Sequence, residues 1–133
     1  MRIFLLLGAL LLASPAPAAG KGLTVPMGET WMFRLDRGQP VQARKTAPDA
    51  KPRRGEIRLT LRAMIGTTMT LISNSPRSYT YRATLIAVNG TEVAARSCAL
   101  PGDNRFAFES WPQSASAVRV ADFKPAGDDS VCS

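Results

Sequence analysis

Apolar and polar residues alternate one for one from Glu56 to Ile65. Ile57, Leu59, Leu61, Ala63 and Ile65 fall on one side, and Glu56, Arg58, Thr60, Arg62 and Met64 on the other. A helix would return its apolar residues at intervals of three and four, so a period of two over ten residues predicts a β-strand with one face in a core and one in water. The same rule predicts a strand over Thr30–Leu35, with Trp31, Phe33 and Leu35 inward, and another over Tyr79–Val88, with Tyr79, Tyr81, Ala83, Leu85 and Ala87 on one face. Thr67–Ser73 is rich in β-branched residues, which fit a pleated surface. Thr91–Cys98, a short stretch over Arg105–Ser110 that holds Phe106 and Phe108, and Ala117–Phe123 with Val118 and Val120 complete the later strands. At the front, Leu23 and Val25 with Pro26 predict a short edge strand, because proline is tolerated at a sheet edge and not in its centre. Val41–Lys45 is expected to return against Thr30–Leu35 with Val41 and Ala43 inward.

Turn residues separate these segments. Asn89-Gly90 is the strongest short hairpin signal in the chain, since a type I′ turn requires positive φ at both central residues. That turn sets Val88 opposite Thr91, Ile86 opposite Val93 and Thr84 opposite Ala95. Thr46–Gly55 carries two prolines, no large apolar residue and several charges, and is expected as an exposed loop. Seven to nine short strands with no helical stretch predict an all-β chain, an antiparallel β-sandwich. The run Thr68–Leu85 (TMTLISNSPRSYTYRATL) resembles a strand, connector and strand of the immunoglobulin-like sandwiches of bacterial envelope proteins. That resemblance implies an immunoglobulin-like β-sandwich of a kind that binds or scaffolds. Trp31 precedes both cysteines and Cys132 is terminal, so the inter-sheet disulfide of true immunoglobulin domains does not carry over.

The beginning of the chain changes this picture. Arg2, the apolar run Ile3–Ala13 and the small, proline-rich Ser14–Gly20 have the layout of a secretory signal peptide, with Ala16-Pro17-Ala18 as the cleavage signal. The apolar run falls short of the roughly 20 residues a bilayer span needs. Residues 1–19 are therefore expected to be a signal peptide and 20–133 a single domain, periplasmic or secreted and not membrane-spanning after cleavage. In an oxidising compartment the two cysteines, Cys98 and Cys132, are expected to form one disulfide tying the C-terminus to the strand cluster.

Charge is concentrated. Between Arg34 and Arg62 there are nine basic and three acidic residues, whereas the rest of the mature chain has seven of each sign. The candidate polyanion-binding residues are Arg44, Lys45, Lys51, Arg53, Arg54, Arg58 and Arg62, with Arg58 and Arg62 about 13 Å apart on the wet face of one strand. Catalytic chemistry is poorly provided for. There is no histidine, which removes the Ser-His-Asp and Cys-His arrangements, most catalytic zinc sites and the commonest general base near neutral pH. No phosphate-binding glycine loop or nucleophile elbow occurs. No catalytic residue, cofactor or metal is expected. The expected function is non-catalytic binding of an envelope protein through a sheet edge or exposed aromatics. The alternative is a module for acidic polysaccharide or anionic lipid headgroups, with no specific nucleic acid, and an enzyme inhibitor is a third class.

Overall fold

The computed structural model describes residues 22–127. Its strands are β1 (Leu23–Pro26), β2 (Thr30–Asp36), β3 (Gln39–Thr46), β4 (Ile57–Ala63), β5 (Thr67–Ser73), β6 (Tyr79–Ile86), β7 (Glu92–Ala95), β8 (Phe106–Trp111) and β9 (Ala117–Pro125). Among the described residues there is no helix. Every pairing is antiparallel, in a four-stranded sheet ordered β1-β9-β6-β7 and a five-stranded sheet ordered β3-β2-β4-β5-β8. Residues 1–19, expected as a signal peptide, and Cys132 of the expected disulfide lie outside the described residues.

The two sheets face each other across one core, as in a β-sandwich. Alternation is the cause: Leu59 and Leu61 of β4 and Met69 and Leu71 of β5 point inward, and Tyr81, Ala83 and Leu85 of β6 with Val118 and Val120 of β9 meet them. The register of β4 on β5 sets Leu59 opposite Leu71 and Leu61 opposite Met69, so inward residues stay in step. Phe123 ties the sheets together through ring contacts to Phe33, Tyr79 and Tyr81 at centroid distances of 5.8, 6.4 and 5.2 Å. β1 lies at a sheet edge, where Pro26 loses no interior ladder bond.

Three expectations of register and extent are corrected. β4 ends at Ala63, and Met64, Ile65 and Gly66 form the hairpin tip to β5. Ile65 is therefore fully exposed with φ 45°, and does not face the core. The sequence alternates past the point where the strand stops.

The β6–β7 hairpin is shifted by one residue, pairing Ile86 with Glu92, Leu85 with Val93 and Thr84 with Ala94. Of Asn89 and Gly90 only Gly90 has positive φ, at 86°. The Gly90 N–H donates to the Ala87 carbonyl at 2.8 Å and the Ala87 N–H to the Thr91 carbonyl at 2.9 Å. That geometry is a three-residue loop whose last residue is left-handed, a solution open to the same Asn-Gly pair. The Asn89 Oδ1 accepts the Thr91 N–H at 3.0 Å and favours it.

In β3 the register slips opposite the stretch between Met32 and Arg34, with Gln42 at φ 50°. The bulge sets Val41 opposite Arg34, on the outward side, because one extra residue inverts the alternation across it, and Ala43 is exposed on this edge strand.

Candidate binding face of the five-stranded sheet

The outward positions of the five-stranded sheet form rows across the strands. One row runs Arg44, Met32, Arg58, Ile72, Phe106 from β3 to β8. The next runs Thr46, Thr30, Thr60, Thr70, Phe108. A third, shorter row holds Arg62, Thr68 and Ser110. The face thus has basic groups at one side, hydroxyls in the middle and two phenylalanine rings at the other side.

Topology accounts for the cover over part of it. β3 and β4 are both antiparallel to β2, so they run parallel to each other with β2 between them. The chain leaves β3 at Thr46, beside Thr30, and must enter β4 at Ile57, beside Phe33. A connection of this kind has to travel back along β2. It does so over the outer face, which is why Thr30 and Met32 are buried although they point away from the core between the sheets. The expectation of an exposed loop over Thr46–Gly55 is corrected to a strap laid on the sheet, with Pro52 buried and Ala50 half-buried beneath it.

The strap is fastened by arginines of the basic segment, by Asn74 and by Glu56. The Arg58 guanidinium donates to the Ala50 carbonyl at 2.7 Å, the Arg34 guanidinium to the Arg54 carbonyl at 2.9 Å, and the Asn74 side-chain amide to the Pro52 carbonyl at 2.9 Å. Glu56 is the main latch. Its carboxylate is 2% exposed, receives the Arg44 guanidinium at 2.5 and 3.3 Å, and accepts the Arg53 backbone N–H at 2.9 Å. Glu56 was expected on the wet face; the strap encloses it.

Of the seven candidate cations, the structure places Arg44 in the Glu56 pair and Arg58 under the strap, both in structural roles. Lys45 pairs with Trp31 and so lies on the opposite side of the sheet from Arg44, 3.7 Å from Glu29. The remaining four, Lys51, Arg53, Arg54 and Arg62, are exposed, and among the described residues none is in an ion pair. Lys51, Arg53 and Arg54 sit on the strap, and Arg62 on the uncovered part of β4.

Phe106 and Phe108 belong to this face and were not among the sequence candidates. They are 64% and 66% exposed, while Ala107, Glu109 and Trp111 take the inward positions of β8. The choice of face reverses the simple reading, because larger apolar residues stand outside and a glutamate stands inside. Inward, Glu109 accepts the Cys98 backbone N–H at 2.6 Å, and the Trp111 indole N–H donates to the Arg96 carbonyl at 2.8 Å. The terminal position of Trp111 in the same alternation was the available signal.

The hydrogen bond from Arg44 holds the Glu56 carboxyl below the usual glutamate range, with the Arg53 N–H adding to it, against the opposing pull of burial. A depressed folded-state value contributes stability above the unfolded value, about 4.3, which is lost as pH falls through the lower folded value. Glu56→Gln is therefore expected to cost about 1–2 kcal/mol at pH 7, discounted for the half-exposed arginine. In denaturant titrations the gap between variant and wild type should close below about pH 4; a gap of equal size at pH 3 and pH 7 would contradict the latch.

Among the described residues no group of three or more His, Cys, Asp or Glu could hold a metal ion, and no helix is long and apolar enough to cross a membrane. No family model, curated protein or solved structure matches the chain.

Proposed function

We propose that the protein is an exported, non-catalytic binding module of the periplasm or extracellular space, and that the outer face of its five-stranded sheet is the binding surface for a polyanion. The observation that carries this reading is the gathering of four cations that are exposed and, among the described residues, outside ion pairs: Lys51, Arg53, Arg54 and Arg62, on the strap and the face it crosses. Three of the four are arginines, which suit bidentate contacts to carboxylate or phosphate. The paired, two-sheet architecture supports an immunoglobulin-like assignment, and an exported chain with two cysteines supports a Cys98–Cys132 bridge. A second reading, an envelope protein as partner, is favoured by the exposure of Phe106 and Phe108 on the edge strand β8.

Retention on an immobilised acidic polymer separates these readings. Retention is expected to fall steeply with salt and to be lost in the combined variant Lys51→Ser, Arg53→Ser, Arg54→Ser, Arg62→Ser. Unchanged retention in that variant would sink the polyanion reading. Salt-resistant capture of one envelope protein, cross-linked from position 106, would establish the second reading in its place.

A further inference from the structure

We infer that the ligand is an acidic polysaccharide, a chain of sugar acids lying across the outer face with Phe106 and Phe108 as its stacking platform; the inference rests on the polyanion reading. The residues beside the rings are what narrow the class. Phe106 adjoins Ile72 and Phe108 adjoins Thr70, and the next strand over contributes Arg58 and Thr60. Ile72, Thr70 and Thr60 are half-exposed, so the floor between the rings and the basic side offers an apolar patch and two hydroxyls. Arg62 stands two strands from Ser110, which places it roughly 12 Å from Phe108 at ordinary strand spacing.

The strap holds the other cations at the near end of the same face. The Pro52 carbonyl is bound by Asn74, two residues beyond Ile72, and the Ala50 carbonyl by Arg58 in the Phe106 row. Lys51, Arg53 and Arg54 therefore stand on a strap anchored at the Phe106 row, across the sheet from the phenylalanine pair.

A sugar acid presents the matching chemistry within one ring: an apolar C–H face, hydroxyls and a carboxylate. An aromatic face attracts the C–H edge of such a ring, threonine hydroxyls both donate and accept, and guanidinium takes the carboxylate in a fork. Polyphosphate has charge and no apolar face. It would use the cations and leave the rings idle. A flat bilayer suits a protruding tip better than a floor bordered by a strap.

The test uses polygalacturonate of defined length, inorganic polyphosphate, neutral dextran, poly-glutamate and a single-stranded oligonucleotide as probes for the full chain. Wild type is expected to bind polygalacturonate at least tenfold more tightly than dextran. The double variant Phe106→Ala, Phe108→Ala is expected to lose at least tenfold in polygalacturonate affinity while its polyphosphate affinity stays within twofold and its melting temperature within a few degrees. Equal polygalacturonate binding by the double variant and wild type would overturn the inference and leave the polyanion reading standing. Tighter wild-type binding to poly-glutamate or to the oligonucleotide than to polygalacturonate at matched charge would also overturn it, in favour of a protein or nucleic-acid ligand. Absence of binding to every charged probe would remove both.

Discussion

Phe123→Ala is expected to destabilise the protein by about 3–5 kcal/mol, the range for truncating a buried aromatic. Phe123 is 3% exposed and stands where the two sheets meet. Its ring lies 5.2 Å from Tyr81 in a stacked arrangement with an 18° interplanar angle, 5.8 Å from Phe33 and 6.4 Å from Tyr79 edge-on. Tyr79 and Tyr81 come from the four-stranded sheet and Phe33 from the five-stranded one, so a single truncation opens a cavity that neither sheet can close alone. The ring arrives there through the β9 irregularity at Asp122, whose φ is 55° and where the pairing with β6 shifts. Backbone pinning opposes relaxation, since the Phe123 N–H donates to the Gly38 carbonyl at 2.8 Å. Against a total margin of about 5–15 kcal/mol the loss is large, and the melting temperature should drop by on the order of 15 °C. Phe108→Ala is the matched control. It removes the same ring from an exposed position and should change stability by no more than about 0.5 kcal/mol. Similar losses in both variants would show that Phe123 does not join the two sheets in the core.

The strands were legible in the sequence because their signal is local. Alternation over Ile57–Leu61 and Tyr81–Leu85 names the buried residues directly, and the structure keeps both sets inward. What alternation does not encode is where it stops or slips. Ile65 continues the pattern of β4 yet lies beyond the strand, and the bulge at Gln42 inverts the pattern for Val41 within a continuous strand. Asn89-Gly90 announces a hairpin but serves more than one loop geometry, so the register was open to a one-residue error.

The candidate site was half legible for a different reason. A run of basic residues is visible in any sequence, whereas which of them are consumed depends on strand order. Only the sequence of strands β3-β2-β4 requires the connection to cross β2, and only that crossing brings Ala50 over Arg58 and encloses Glu56 beside Arg44. The same ordering leaves Lys51, Arg53, Arg54 and Arg62 exposed and, among the described residues, outside every ion pair. Phe106 and Phe108 were visible as a pair, but their face was set by long-range partners of Glu109 and Trp111 that no local pattern reveals.

Gly66→Ala is the second substitution expected to have a large effect, and it acts through backbone instead of a side-chain cavity. Gly66 closes the β4–β5 hairpin with φ 100°, a region that side-chain-bearing residues rarely occupy. A Cβ there would fall well inside the van der Waals contact distance of the Trp111 carbonyl oxygen and 2.9 Å from the Pro112 carbonyl carbon and oxygen. These are main-chain atoms of the adjoining end of β8, which cannot swing aside as a flexible side chain would. Strain in φ alone costs on the order of 1–3 kcal/mol, and the collision must in addition push the β8 end from β5, where Thr67 pairs with Trp111. A total of about 3 kcal/mol or more is expected in chemical denaturation. Gly90→Ala provides the contrast, with φ 86° and no atom within 4 Å of the added Cβ. It carries the strain without the collision and should cost about 1–2 kcal/mol. The difference between the two variants measures the close approach, and equal losses would assign the whole Gly66 effect to φ. Displacement of β8 also moves Phe106 and Phe108, so in the Gly66 variant polygalacturonate affinity should fall together with stability, whereas the Gly90 variant should keep it.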